Sequence, residues 1–322
     1  MRYLVTGGAG FIGSNIVEKL VQRGERVRVL DNLSSGKLQN LEGVMSEIEF
    51  IEGDIRDFWT TLDAVDGCDF VLHQAALPSV PRSVKNPQTT NAVNIDGTLN
   101  VLEAARRTQV KKVVFASSSS VYGDSMELPK HEDMTPNPLS PYAVTKLTGE
   151  HYMKVYWELY RLPTVSLRYF NIFGPRQDPN SQYSAVVPSF ITALANRRAP
   201  IIYGDGEQSR DFTFISCAVD ANICAANTPE AAGTSINVAC GAQYTLNALV
   251  TMIGQIMNVK IDATYEDARE GDIKHSFGSV AKADRLLKGC VRKNFAEGLR
   301  TTIDWFAAAS KFDRTPVNGI RI

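Results

Sequence analysis

Tyr142 and Lys146 stand four residues apart in Tyr142-Ala143-Val144-Thr145-Lys146. On a helix that spacing puts both side chains on one face. A phenol near its reference pKa of about 10 is a poor base at neutral pH. An ammonium beside it stabilises the phenolate and lowers that pKa. The pair can then take a proton from an alcohol while hydride leaves the same carbon. Ser140-Pro141 offer an N-cap and a first-turn proline, so a helix starting there would carry both groups. The serine run at 117–120 adds hydroxyls able to hydrogen-bond the reacting oxygen and relay its proton. Each feature alone has a plainer reading, an exposed helix pair and a polar loop.

Hydride needs an acceptor. Gly7-Gly8-Ala9-Gly10-Phe11-Ile12-Gly13 lies between a predicted strand and a predicted helix and satisfies GxGxxG through Gly8, Gly10 and Gly13. Such a turn lets backbone N–H groups approach a pyrophosphate, and the helix dipole behind it favours the negative charge. Asp31 follows Gly13 by 18 residues, where an acid binds the adenosine ribose hydroxyls. A carboxylate there repels a 2'-phosphate, so NAD is favoured over NADP. Asp54 could reach the adenine amino group or simply cap the next helix. Ala75 and Ala76, after the fourth strand, are small enough for a cofactor to lie against the backbone.

These groups need a frame. Residues 2–5, 26–30, 48–51, 70–72, 112–116 and 164–167 read as strands, and 11–22, 90–107 and 141–160 as helices. The alternation predicts an α/β fold, a Rossmann-type doubly wound parallel sheet with both faces covered. Its ligands would sit at the carboxyl ends of the strands, where the serine run falls. Beyond residue 171 the texture changes. Residues 174–184 are rich in Pro, Gly, Asn and Gln and read as loop. The expected division is residues 1–171 for NAD and 172–322 mainly for a smaller α/β substrate-binding domain. Segments near 211–239, including 219–226 and 235–238, are expected to return to the first.

The chain has 322 residues, more than one core usually supports, so two domains are expected. Its net charge of -1 gives no footprint for nucleic acid and no polybasic membrane patch. No apolar run approaches the roughly 20 residues of a bilayer span, and no signal-peptide core is visible. The five cysteines are scattered without a CxxC pair, which argues against disulfides and zinc and for the cytoplasm. No metal is expected.

The motifs in this order resemble the extended short-chain dehydrogenase/reductase superfamily over essentially the whole chain. The sequence is most similar to the UDP-hexose 4-epimerases, and closest to the type acting on UDP-N-acetylglucosamine. TGGAGFIGS at 6–14, DNLSSGK at 31–37, HQAALPSVPRSV at 73–84, SSSSVYGD at 117–124, SPYAVTK at 140–146, LRYFNIFGPRQDP at 167–179, GDGEQSRDFTFI at 204–215 and REGDIKHS at 269–276 carry the resemblance. It implies that Tyr142 is the base, Lys146 its partner and nicotinamide-ribose ligand, and Ser118 the proton relay. NAD contacts would also come from Gly7, Gly10, Phe11, Ile12, Gly13, Asp31, Asn32, Ser34, Ser35 and Gly36. Asp54, Ile55, Gln74, Ala75, Ala76, Asn94, Ser117 and Tyr169 complete that set. A UDP-sugar would meet Ser79, Ser119, Asn171 and Val187, with Tyr203, Arg210 and Arg269 on uridine and diphosphate and Asp272 on the ribose. On sequence alone, Arg210 and Arg269 could equally be surface salt-bridge partners.

The resemblance also bears on the substrate. The position of Ser276 lines the pocket for the C2 substituent in the family. A tyrosine there restricts the enzyme to plain hexoses, and serine leaves room for N-acetyl. Dehydratases and decarboxylases of the superfamily carry acids where Ser118-Ser119 stand, which argues for 4-epimerisation through a transient 4-keto sugar. The alternatives are a 4-keto reductase, a dehydratase or a dinucleotide-sensing protein without chemistry. A homodimer through helices 90–107 and 141–160 is the further implication.

Overall fold

The computed structural model describes residues 1–178, 186–268, 274–288 and 294–310. Its centre is a parallel sheet whose strands and crossover helices follow the alternation of the sequence. β1 (Arg2–Thr6) runs through the glycine turn into α1 (Phe11–Gln22) and then β2 (Arg26–Asp31). β3 (Ile48–Glu52), α2 (Phe58–Val65) and β4 (Phe70–His73) follow. α2 escaped the sequence reading because it is short. Asp57 caps it, accepting from the N–H groups of Trp59 and Thr60.

After β4 come α3 (Val80–Lys85), α4 (Pro87–Asn91) and α5 (Gly97–Arg107). The sequence predicts one regular helix over 90–107. The structure instead inserts a π-helical stretch, Ala92–Asp96, between α4 and α5. That wider turn contains Asn94, whose amide bonds both the N–H and the carbonyl of Leu77. A π turn of this kind often marks a functional site.

β5 (Lys112–Ser118), α6 (Pro141–Tyr160) and β6 (Thr164–Tyr169) complete the succession, and β11 (Thr234–Val238) joins beside β6 after β7 (Ile172–Phe173), α7 (Val186–Ala195), β8 (Ile201–Tyr203), β9 (Ser209–Arg210), β10 (Thr213–Phe214) and α8 (Ile215–Asn227). The strand order is β11-β6-β5-β4-β1-β2-β3 and every pairing is parallel. The order reverses between β1 and β4, so a crevice opens at their carboxyl ends. The segment 235–238 thus lies in the sheet, and 219–226 lies on α8, packed against α1 and β4 to β6. Strand interiors such as Leu4, Val5, Val29, Leu72, Val114 and Leu167 are buried, as expected for a sheet covered on both faces.

Pairing with β6 carries β5 two residues past its predicted end. Ser117 faces Arg168 and Ser118 faces Tyr169. The first two serines therefore end a strand instead of opening a loop, and a short turn, Ser119–Tyr122, follows. The chain after β11 forms β12 (Tyr244–Thr245), α9 (Leu246–Met257), β13 (Thr264–Glu266) and β14 (His275–Ser276). β12 and β14 flank β9, while β13 pairs with β8. In the loop predicted at 174–184, Asn15 bonds the Pro175 carbonyl and Arg176 pairs with Glu18 on α1, while 179–184 lie outside the described residues. No helix among the described residues is long and apolar enough to cross a membrane.

Candidate active site

The glycine turn fits a pyrophosphate. Gly7 has φ 68° and passes so close to the next loop that a Cβ would lie 2.7 Å from the Ala75 nitrogen. A Cβ on Gly13 would strike the Gly7 carbonyl oxygen. Gly10 is the N-cap of α1 and offers no side-chain cap, so the first N–H groups of α1 point to a place an anion can fill. Phe11 and Ile12 open the helix and pack against the core.

Asp31, at the carboxyl end of β2, accepts from the N–H of Ala9 at 2.9 Å and of Leu33 at 2.8 Å. The two bonds aim its carboxylate at the turn, and Gly36 passes directly beside it. Burial nonetheless raises its pKa, with the two N–H bonds opposing. Asn32 donates to Asp54 at 2.8 Å and accepts from the Ser34 N–H, while Ser34 and Ser35 are exposed. Asp54 takes a two-pronged bond from Arg56, which with further hydrogen bonds holds its pKa at about 2. It does not cap α2, since Asp57 does. The Ile55 side chain lies in the core under β4 and α5.

Gln74 forms a triangle with Tyr169 and Asn222. It donates to Asn222 at 2.9 Å and accepts from the Tyr169 hydroxyl at 3.0 Å, while Asn222 donates to Tyr169 at 2.6 Å. Burial raises the Tyr169 pKa, so the phenol stays neutral. Ala75 and Ala76 are half-buried beside the glycine turn. Asn94 adds a third bond, to Thr145 on α6 at 3.1 Å, which occupies both its amide hydrogens.

α6 starts as its sequence predicts. Ser140 accepts from the Ala143 N–H, and Pro141 takes the first turn. The N–H of Tyr142 is bonded by the buried Ser83 hydroxyl of α3 at 3.0 Å. Lys146 is buried, donates to the Ala116 carbonyl at 2.8 Å and lies 5.9 Å from the centre of the Tyr142 ring. Desolvation pulls the Lys146 ammonium down to about 7. Desolvation also raises the Tyr142 pKa, and the neighbouring Ser118 hydroxyl only opposes it. The sequence predicts a lowered phenol. The protein alone does the opposite, because burial penalises both charges and outweighs the bond with Ser118.

Ser118 accepts from the Ser120 N–H at 3.1 Å and remains half-buried, as does Ser119. Ser117, expected to face the cofactor, turns its hydroxyl to Glu150 on α6. Ser79 caps α3 with φ 101°, a strained value outside glycine.

A second cleft opens beyond β6, lined by Asn171, Val187, Tyr203 and Arg210 together with Phe190 and Gln208. Four residues predicted for the substrate therefore meet in one place. Ser276 pairs in register with Arg210 across β14 and β9. Asp211, fully buried, holds this region. It accepts from the N–H groups of Cys240 and Gly241 at 2.8 and 3.0 Å, and burial raises its pKa to about 6. Arg269 and Asp272 lie outside the described residues. Among the described residues, no group of three His, Cys, Asp or Glu side chains could hold a metal ion.

Sequence reasoning missed Ser83, Glu150, Arg168, Asp211 and Asn222. Glu150 had a signal in its place one turn after Lys146, and Ser83, Arg168 and Asp211 lie within motifs that carry the resemblance, while Asn222 had none.

A profile described as the NAD dependent epimerase/dehydratase family matches residues 3–239. A UDP-glucose 4-epimerase of Mycolicibacterium smegmatis is 38% identical over 97% of this chain and 100% of its own. Among solved structures, a UDP-N-acetylglucosamine 4-epimerase from Methanobrevibacter ruminantium, in complex with UDP-N-acetylmuramic acid, superposes with a TM-score of 0.92. It is 43% identical and covers 96% of this chain and 98% of its own. A Thermus thermophilus UDP-glucose 4-epimerase in complex with NAD gives a TM-score of 0.87 at 37% identity, covering 96% and 100%.

Proposed function

We propose, from the premise that the chain belongs to the NAD-dependent epimerase/dehydratase family, that it interconverts UDP-hexoses epimeric at C4. The observation that carries the reading is the hydrogen bond between the Ser118 and Tyr142 side chains. Ser118 pairs with Tyr169, and Asn171 of the second cleft follows two residues later.

When bound, NAD supplies the acceptor and donor of hydride at C4 and a positive charge that favours the phenolate. The glycine turn, Asp31 and α1 would hold it, joined by Lys146 and the Gln74–Tyr169 pair. Tyr142, through Ser118, takes the proton from the 4-hydroxyl and later returns it. Arg210 would grip the diphosphate, its guanidinium fork matching phosphate oxygens. With the diphosphate anchored, the 4-keto sugar is free to turn over and present its other face. A dehydratase needs a free acid near Ser118-Ser119. The carboxylate that bonds the serine run, Glu150, is buried and paired with Arg168. That favours epimerisation.

Residues 1–171 are the cofactor-binding part in this reading, with β11 returning to its sheet, and 172–322 mainly bind the UDP-sugar. Ser276 leaves room for an N-acetyl group, so UDP-GlcNAc and UDP-GalNAc join UDP-glucose and UDP-galactose as substrates. Val144, Val155 and Leu159 form an exposed apolar stripe on α6, which supports a homodimer pairing through α5 and α6. No disulfide joins the described cysteines, consistent with the cytoplasm. The test is turnover of a UDP-sugar deuterated at C4. Retention of the label at C4 in the epimer supports the reading, and loss of label to water overturns it.

A further inference from the structure

A buried ion pair lies behind the serine run. Glu150 stands on α6 one turn beyond Lys146 and two beyond Tyr142, on the same helix stripe. Its partner Arg168 is on β6, and both side chains are only 5% exposed. Arg168 donates through Nε and Nη2 to the two carboxylate oxygens, at 2.9 and 2.7 Å. Ser117 donates to Oε1 at 2.5 Å, and Ser235 on β11 to Oε2 at 3.1 Å. One carboxylate therefore ties α6 to three adjacent strands.

The arginine extends the clamp. Its Nη1 donates to the Tyr122 hydroxyl at 2.9 Å, and Tyr122 donates to Asn237 at 2.7 Å. Tyr122 ends the turn that begins with Ser119. Ser118 is thus bracketed, with Ser117 held by Glu150 before it and Tyr122 held by Arg168 after it. Burying two charges costs desolvation that an apolar pair would avoid. An apolar pair could not fix two hydroxyl directions at once.

We propose that the Glu150–Arg168 pair is a positioning device that sets the Ser118 hydroxyl against the Tyr142 phenol. The proposal rests on the assignment of proton transfer to those two residues, and neither Glu150 nor Arg168 touches the reacting atoms. The pair fixes α6 against the end of β5, and the distance between the two hydroxyls follows from that.

Three variants test it, each assayed per cofactor-loaded site alongside its melting temperature. Ser117→Ala removes one bond and leaves no charge unpaired. Its kcat falls about 10- to 100-fold with KM unchanged, the usual effect of small misplacement. Glu150→Gln leaves Arg168 unpaired and loses both stability and kcat. The double variant Glu150→Met, Arg168→Met recovers the melting temperature but not kcat. Recovery of both together, or a wild-type kcat in Ser117→Ala, overturns the proposal. A second readout needs no turnover. The Tyr142 phenol, read as the tyrosinate absorbance lost in a Tyr142→Phe background, titrates higher in Ser117→Ala than in the wild type, because Ser118 no longer opposes the burial shift. An unchanged titration also overturns the proposal. Absence of turnover in the wild type would count against the 4-epimerase reading, and the titration would still decide this one.

Discussion

Lys146 donates its ammonium to the main-chain oxygen of Ala116 at 2.8 Å, so the lysine ties α6 to β5 before it does any chemistry. Burying that ammonium has a cost. The folded pKa of about 7 lies below the unfolded value near 10.5, so the stability this group contributes is full above 10.5 and lost as pH falls to about 7. Lys146→Met should therefore gain stability relative to the wild type as pH is lowered through that window, at about 1.4 kcal/mol per pH unit. Its kcat should fall roughly 100-fold or more. Melting curves at pH 7 and pH 10, read against turnover, check both parts. A difference that does not vary with pH would refute the burial account.

His73 supplies a second pH window, on the acid side. It is buried at the end of β4 between the Thr6 and Thr98 hydroxyls, at 2.7 and 3.0 Å. Desolvation, with Lys146 adding to it, drops its pKa to about 3. The folded value is again below the unfolded one near 6.5. Its stability contribution is full above pH 6.5 and drains as pH falls toward 3. His73→Gln should flatten the acid limb of the stability curve by about 1.4 kcal/mol per pH unit. Denaturant melts from pH 7 to pH 4 measure this, and parallel curves would contradict it.

Asp31 tests the cofactor side. Its carboxylate is held by Ala9 and Leu33 and faces the glycine turn. Asp31→Asn keeps the shape but removes a charged acceptor, a change of about 1.5–3 kcal/mol or roughly 10- to 100-fold in NAD affinity. NADP should be tolerated better. Cofactor content after acid release, and titration of the stripped protein with each dinucleotide, give the answer. Wild-type retention of NAD would remove Asp31 from the site.

Ser276 tests the sugar side, since it sits in register with Arg210. Ser276→Tyr should cut kcat/KM for UDP-GlcNAc by about 10-fold or more, while UDP-glucose keeps its rate within about threefold. Equal losses on the two sugars would mean that Ser276 does not meet the C2 substituent.

Hydrophobic alternation made the sheet and its helices legible, because buried parallel strands read as short apolar runs. The glycine turn, Asp31 and the Ser140-Pro141 cap were legible for local reasons that need no distant partner. What stayed hidden depends on residues far apart in sequence. Ser117 and Ser118 belong to β5 only because Arg168 and Tyr169 pair with them. The π-helical turn at Ala92–Asp96 accompanies the bonds of Asn94 to Leu77, which no spacing rule announces. Asn222 and Glu150 are buried polar residues whose partners lie 148 and 33 positions away in Gln74 and Ser117. The direction of the Tyr142 shift was hidden too, since burial belongs to the tertiary structure.

The central claim is an NAD-dependent UDP-sugar 4-epimerase. Proton NMR of the purified protein mixed separately with UDP-GlcNAc and UDP-glucose, with NAD supplied, tests it most directly. The account predicts that the anomeric signal of UDP-GalNAc appears and grows to a fixed ratio. No epimer from either UDP-GlcNAc or UDP-glucose would contradict it.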